Sequence, residues 1–241
     1  MMKGYGQFCA IARTHEVLGG RWTLLVVREL LCGARHFNDI RRGVPRISRT
    51  MLSERLQALT EVGVTERRVG PRGPEYDLTA AGRQLGELVS AMAVWGQQWL
   101  PRKPELEDVD LEPLLMDMQR RVRLSALPIH PVVVRFEVDG AKPRFMLLKA
   151  SEISVCSQNP GFPEVVQVKS RLAPLVGWWR GDISLLEAQR IGLRLEGQKA
   201  DVRAFPGWFE RYVFAHISPA PGAVLNGPDS VPHRHRPRTY G

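Results

Sequence analysis

Residues 36–79 read HFNDIRRGVPRISRTMLSERLQALTEVGVTERRVGPRGPEYDLT. HFNDIRR (36–42) predicts a short helix burying Phe37 and Ile40, three apart on one face. Gly43 and Pro45 break it. Ser48 is then a good N-cap for a helix to about Val62, whose Leu52, Leu56, Leu59 and Val62 fall on one face. After Gly63, VTERRV (64–69) alternates like a strand, Gly70 to Pro74 makes a tight turn, and EYDL (75–78) pairs back.

Working outward, residues 9–20 predict a short helix stopped by Gly19 and Gly20, and residues 21–32 a second with a broad apolar face. Thr79 caps a further helix running to about Trp99. The order is helix, helix, helix–turn–helix, hairpin, helix: a mainly α winged helix-turn-helix over residues 1–100, with a three-helix core, a β-hairpin wing and a long last helix.

That order presents the helix after Ser48 for a DNA major groove and lets the basic hairpin touch the flanking backbone. With the leucines facing inward, Arg49, Thr50, Ser53, Glu54 and Gln57 point away from the core as readers of base edges. Arg42, Arg46, Ser48, Arg55, Arg68 and Arg72 are assigned to phosphates. Charge agrees. The net charge is +9, and residues 35–55 hold six arginines against Asp39 and Glu54. An amphipathic helix alone would carry no such reading, since a solvated outer face is common; the flanking elements and local charge supply it.

Residues 19–83, GGRWTLLVVREL through RHFNDIRR and LSERLQAL to EYDLTAAGR, closely resemble the HxlR-type winged-helix regulators of bacteria, a match extending over roughly residues 9–96. The resemblance implies homodimers built on the first and last helices of the module, binding paired half-sites in double-stranded promoter DNA, with repression commoner than activation. Some family members sense oxidants through a cysteine at the place of Cys9, making it a redox candidate; here Ala10 follows it where the family usually has proline.

PRKPELEDVD (101–110) marks a boundary, and residues 101–129 are expected as a linker with a connecting helix in 111–124. From Val132 the period changes to two, with Val132, Val134, Phe136 and Val138 on one face and Asp139–Gly140 as a hairpin turn. Further strands and two helices follow, the second opening with a Ser184/Glu187 capping box. Residues 130–215 are therefore expected as an α+β domain, its sheet packed on helices. VRFEVDG, the run from SVCSQNPGF to LRLEG, and KADVRAF resemble the sterol-carrier-protein-like fold. That fold holds hydrophobic small molecules between sheet and helices, and the apolar side chains Phe136, Phe145, Leu147, Leu175, Trp178, Trp179 and Leu186 are read from the pattern as candidates to line such a pocket. For any one of these aromatics, core is the favoured reading. Residues 216–241 are expected to be a disordered tail.

No cofactor or metal is expected: three scattered cysteines give no zinc spacing, and no nucleophile elbow or phosphate-binding loop occurs, so an enzyme is not expected. No signal-peptide-like run and no 18-residue apolar stretch occurs, so a soluble cytoplasmic chain without membrane insertion is expected. Two other readings stay open: a lipid carrier with a basic face for membrane surfaces, and a DNA-binding regulator whose C-terminal domain is structural only.

Overall fold

The computed structural model describes residues 4–71, 73–100 and 110–221. They form two hydrophobic cores. The first is built by α1 (Ala10–Leu18), α2 (Thr23–Leu31), α3 (Phe37–Gly43), α4 (Arg49–Glu61), the hairpin β1 (Thr65–Gly70) and β2 (Gly73–Leu78), and α5 (Ala80–Trp99). Val26, Val27, Ile40, Ile47, Leu52, Leu56 and Leu59 are buried together at its centre.

Local chemistry sets these boundaries. The Ser48 hydroxyl accepts from Met51 N at 3.1 Å and starts α4; Thr79 accepts from Gly82 N and starts α5. Gly82 permits α5 to approach the backbone just before β1, because a Cβ there would come 2.1 Å from the Val64 carbonyl oxygen. Val62 departs from the expected buried face: it is the C-cap of α4 and half exposed, since the helix no longer carries it inward.

The second core rests on a five-stranded sheet, in the order β5 (Glu152–Cys156), β4 (Arg144–Lys149), β3 (Val132–Val138), β6 (Glu164–Ser170), β7 (Arg194–Gly197). The β3–β6 pair is parallel and the other three pairs are antiparallel. Val132, Val134, Phe136 and Val138 share its buried face as the alternation predicts. Against it pack α6 (Leu111–Arg120), α7 (Leu172–Arg180), α8 (Leu185–Arg190) and the turn Phe205–Trp208 that follows α9 (Lys199–Ala204). The helix expected as a connector, α6, puts Leu111, Leu114, Leu115 and Met118 into this core. Ser184 and Glu187 form the expected capping box on α8.

The seven residues expected to line a ligand pocket are divided between the core, the other face of the sheet and the exposed surface. Phe136, Leu175, Trp178 and Trp179 are buried in the core, where Trp178 stacks on Phe205 at 5.9 Å and Trp179 meets Phe209 edge-on at 6.0 Å. Phe145 and Leu147 alternate with the core residues Met146 and Leu148 along β4, so they face the other side of the sheet. Leu186 is 58% exposed.

Of the expected linker and tail, residues 101–109 and 222–241 lie outside the described residues. Residues up to 221 return to α5, where Ala220 N donates to the Gln98 carbonyl.

Candidate nucleic-acid interface

The helix α4 is positioned by burial of Leu52, Leu56 and Leu59 and by its Ser48 cap. Those constraints leave Arg49, Thr50, Ser53, Glu54 and Gln57 exposed. Gln57 Nε2 donates to Glu61 Oε1 at 2.8 Å, one turn on. The five expected base readers therefore stand together, with the charged Arg49 in the first turn.

The side chains assigned to phosphates are less uniform. Arg55 is half buried and its Nε donates to the Arg21 carbonyl at 3.2 Å, tying α4 back to the start of α2. Arg68 lies exposed on the hairpin and pairs with Glu66. Ser48 is exposed but its hydroxyl is used as the cap. Arg72 lies outside the described residues. Arg42 donates to the Val155 carbonyl at 3.2 Å and lies 3.9 Å from Glu112. Arg46 forms a fork with Asp110, Nε to Oδ2 at 2.9 Å and Nη2 to Oδ1 at 3.4 Å.

Sequence reasoning passed over Arg67, exposed beside Arg68 on β1. Alternation along VTERRV was the available signal, since it sends adjacent side chains to opposite faces of the hairpin and puts Arg67 opposite Tyr76 across the ladder. Arg21 was also missed; its guanidinium lies 4.7 Å from the Trp22 ring centre.

A second feature of this half is apolar. Ile11 on α1 and Leu88, Met92 and Trp95 on α5 are exposed large side chains. Beside them, α1, α2 and α5 enclose an open cavity of about 560 Å³ lined by Ile11, Leu18, Trp22, Leu25, Leu88 and Met92 among others. Trp22 has φ +77°, the one non-glycine residue at positive φ among those described.

The redox candidate Cys9 is the N-cap residue of α1. The backbone N–H groups of Ala12 and Ile11 hold its thiol pKa below the ordinary value. Among the described residues, no cluster of three or more His, Cys, Asp or Glu is arranged to hold a metal ion, and no helix is long and apolar enough to cross a membrane.

Comparison with known proteins places the similarity in this half. The family model for HxlR-like helix-turn-helix proteins matches residues 17–104. An uncharacterised HTH-type transcriptional regulator of Mycobacterium tuberculosis is 41% identical over 98 residues, 39% of this chain and 60% of that one. This chain thus spans about three-fifths of the length of that mycobacterial relative. The HTH-type regulators YvaP and YybR of Bacillus subtilis are 36% and 32% identical; the matches cover 35% and 46% of this chain and 82% and 90% of theirs. A solved structure, the reduced form of the transcriptional regulator YodB from B. subtilis, aligns at 29% identity over 41% of this chain and all of its own, with a TM-score of 0.35.

Proposed function

This chain belongs to the HxlR-like helix-turn-helix family, and from that premise we propose that it is a transcriptional regulator that binds paired half-sites in double-stranded DNA as a homodimer and represses the genes beside them. The observation that carries the reading is the outward row of α4, five polar side chains on a helix fixed by its cap and its leucines. Arg49 is suited to the acceptor edge of guanine, and Thr50, Ser53 and Gln57 to adaptable contacts on neighbouring bases. The exposed Arg67 and Arg68 of the hairpin complement the phosphates beside the groove.

Two copies are needed to read paired half-sites. The apolar face shared by α1 and α5 is the surface for the second copy: Ile11, Met92 and Trp95 are 79%, 51% and 56% exposed in the single chain. A symmetric contact there would set the distance between the two α4 helices.

Enrichment of random duplex DNA by the purified chain tests the reading. The expected product is a two-fold-related pair of half-sites about one or two helical turns apart. Recovery of unenriched DNA, bound only in proportion to its charge, would reject it.

A further inference from the structure

The start of α6 is acidic, and its carboxylates are turned toward the helix-turn-helix. Asp110 is the N-cap residue of α6, yet its side chain makes no cap hydrogen bond; both its oxygens go to the fork of Arg46. Glu112, in the first turn, is held by Arg144 Nε of β4 at 3.1 Å and lies 3.9 Å from Arg42. Arg42 and Arg46 flank the turn that leads into α4. A guanidinium fork that grips a carboxylate through two oxygens grips a phosphate in the same way, so Asp110 occupies a donor edge of Arg46 that a DNA phosphate requires. Glu112, 3.9 Å from Arg42, offsets the charge of that arginine, whose Nη2 donates to the Val155 carbonyl.

The arrangement is anchored on both sides. At the far end of α6, Arg120 donates to the buried Glu29 of α2. Next to it, Gln119 Nε2 donates to the Ile153 carbonyl of β5 at 2.7 Å, fixing α6 to the sheet. Asp110 and Glu112 are therefore carried by a helix pinned to both cores, and are not a loose acidic segment sampling the surface.

We propose that the acidic start of α6 is an autoinhibitory clamp, in which Asp110 stands in for phosphate on Arg46, Glu112 offsets the charge of Arg42, and the two hold the docked molecule in a state of weak DNA affinity. The clamp rests on the DNA-binding reading above and adds to it. It makes the C-terminal core a brake on the reading head, and any event that lifts α6 from α3 takes both carboxylates away from Arg42 and Arg46.

The test is the salt dependence of duplex binding, measured between about 50 and 200 mM salt on the full chain and on Asp110→Asn/Glu112→Gln. Each phosphate contact contributes about 0.9 to the slope of log affinity against log salt. The neutral variant is expected to bind more tightly at low salt, with a steeper slope, by about 0.9 for each arginine that gains a phosphate contact. Adding Arg42→Ala and Arg46→Ala to that variant is expected to restore the parental slope. The same two alanines in the parent are expected to leave the slope unchanged. Measurable DNA binding with equal slopes in parent and neutral variant overturns the clamp and leaves the DNA-binding reading standing. A slope that stays steep after the arginines are removed assigns the gain to net charge alone, and likewise overturns the clamp. If neither protein binds duplex DNA across the range, the DNA-binding reading itself falls, and the clamp with it.

Discussion

Arg120 of α6 donates to Glu29 of α2 at 2.5 Å, joining positions 91 residues apart, and the Glu29 side chain is only 1% exposed. Arg28 holds the other carboxylate oxygen through Nε at 2.9 Å and Nη2 at 2.7 Å, and its Nη2 also reaches the Gly43 carbonyl at 3.0 Å. One buried carboxylate thus ties α2, α3 and α6 together. Burial alone would oppose the charge on Arg120; the Glu29 hydrogen bond and field more than offset it and leave that guanidinium's pKa above its ordinary value. Gly43 makes room for the network, because a Cβ there would lie 2.0 Å from Glu29 Oε2.

Glu29→Ala strands two cations without their shared partner. Breaking a buried pair costs about 3–5 kcal/mol. Arg28 and Arg120 keep 39% and 25% of their side-chain exposure, which lets water screen them, so the low end, about 3 kcal/mol, is expected. Urea unfolding followed by tryptophan fluorescence measures it. A loss below about 1 kcal/mol would show the triad behaving as an ordinary surface ion pair.

Ser48→Ala removes the side-chain acceptor for Met51 N and leaves that N–H without its partner. A loss of about 1 kcal/mol in unfolding free energy is expected, within the range of roughly 0.5–2 for N-cap deletions. Ser48→Asp keeps an acceptor at the helix N-terminus and is expected to restore stability. Equal destabilisation by both substitutions would contradict the capping role.

Cys9 and Cys32 are expected to separate in a pH series of iodoacetamide labelling read by mass spectrometry. The N–H groups of Ala12 and Ile11 favour the Cys9 thiolate. Burial pushes the Cys32 thiol up, with Arg120 opposing and Glu29 adding to the rise. Because the thiolate is the nucleophile, a lowered pKa moves the rise in labelling to lower pH. Cys9 is thus expected to reach its plateau first, and the reverse order would contradict these environments.

Met92→Glu places a charge on the apolar face of α1 and α5. If that face seats the second copy, sedimentation is expected to shift from dimer toward monomer, because an unpaired charge in an apolar contact is costly. A variant that stays dimeric would move the interface elsewhere on the chain.

Much of the first half was legible in the sequence because its signals are local. Ser48, the leucine spacing and the glycines and prolines of the hairpin act within a few residues of themselves, and they give α4 and β1 to within a residue. The expected turn over residues 70–74 is shorter in the structure, because Gly73 and Pro74 pair with Gly70 and Val69 as the start of β2. The alternation at 132–138 gives β3 for the same reason. Long-range pairings were not legible. Nothing in the periodicity around Arg46 marks Asp110, 64 positions away, as its partner, so an arginine assigned to phosphate is found on a carboxylate. Trp178 and Trp179 illustrate another limit. An aromatic pair reads alike whether it lines a cavity or packs in a core, and nothing in its local pattern gives its contacts with Phe205 and Phe209.

The most direct test of the DNA-reading role proposed for α4 is the pair Arg49→Ala and Ser53→Ala, both exposed and neither part of a core. Affinity would be measured on the enriched duplex and on a scrambled duplex of equal length, at fixed salt. Discrimination between the two is expected to fall by about 1–3 kcal/mol for each base edge no longer read, with binding to the scrambled duplex little changed. Uniform weakening on both duplexes with discrimination intact would contradict the account, because it would make these residues phosphate-binding and move sequence reading off α4.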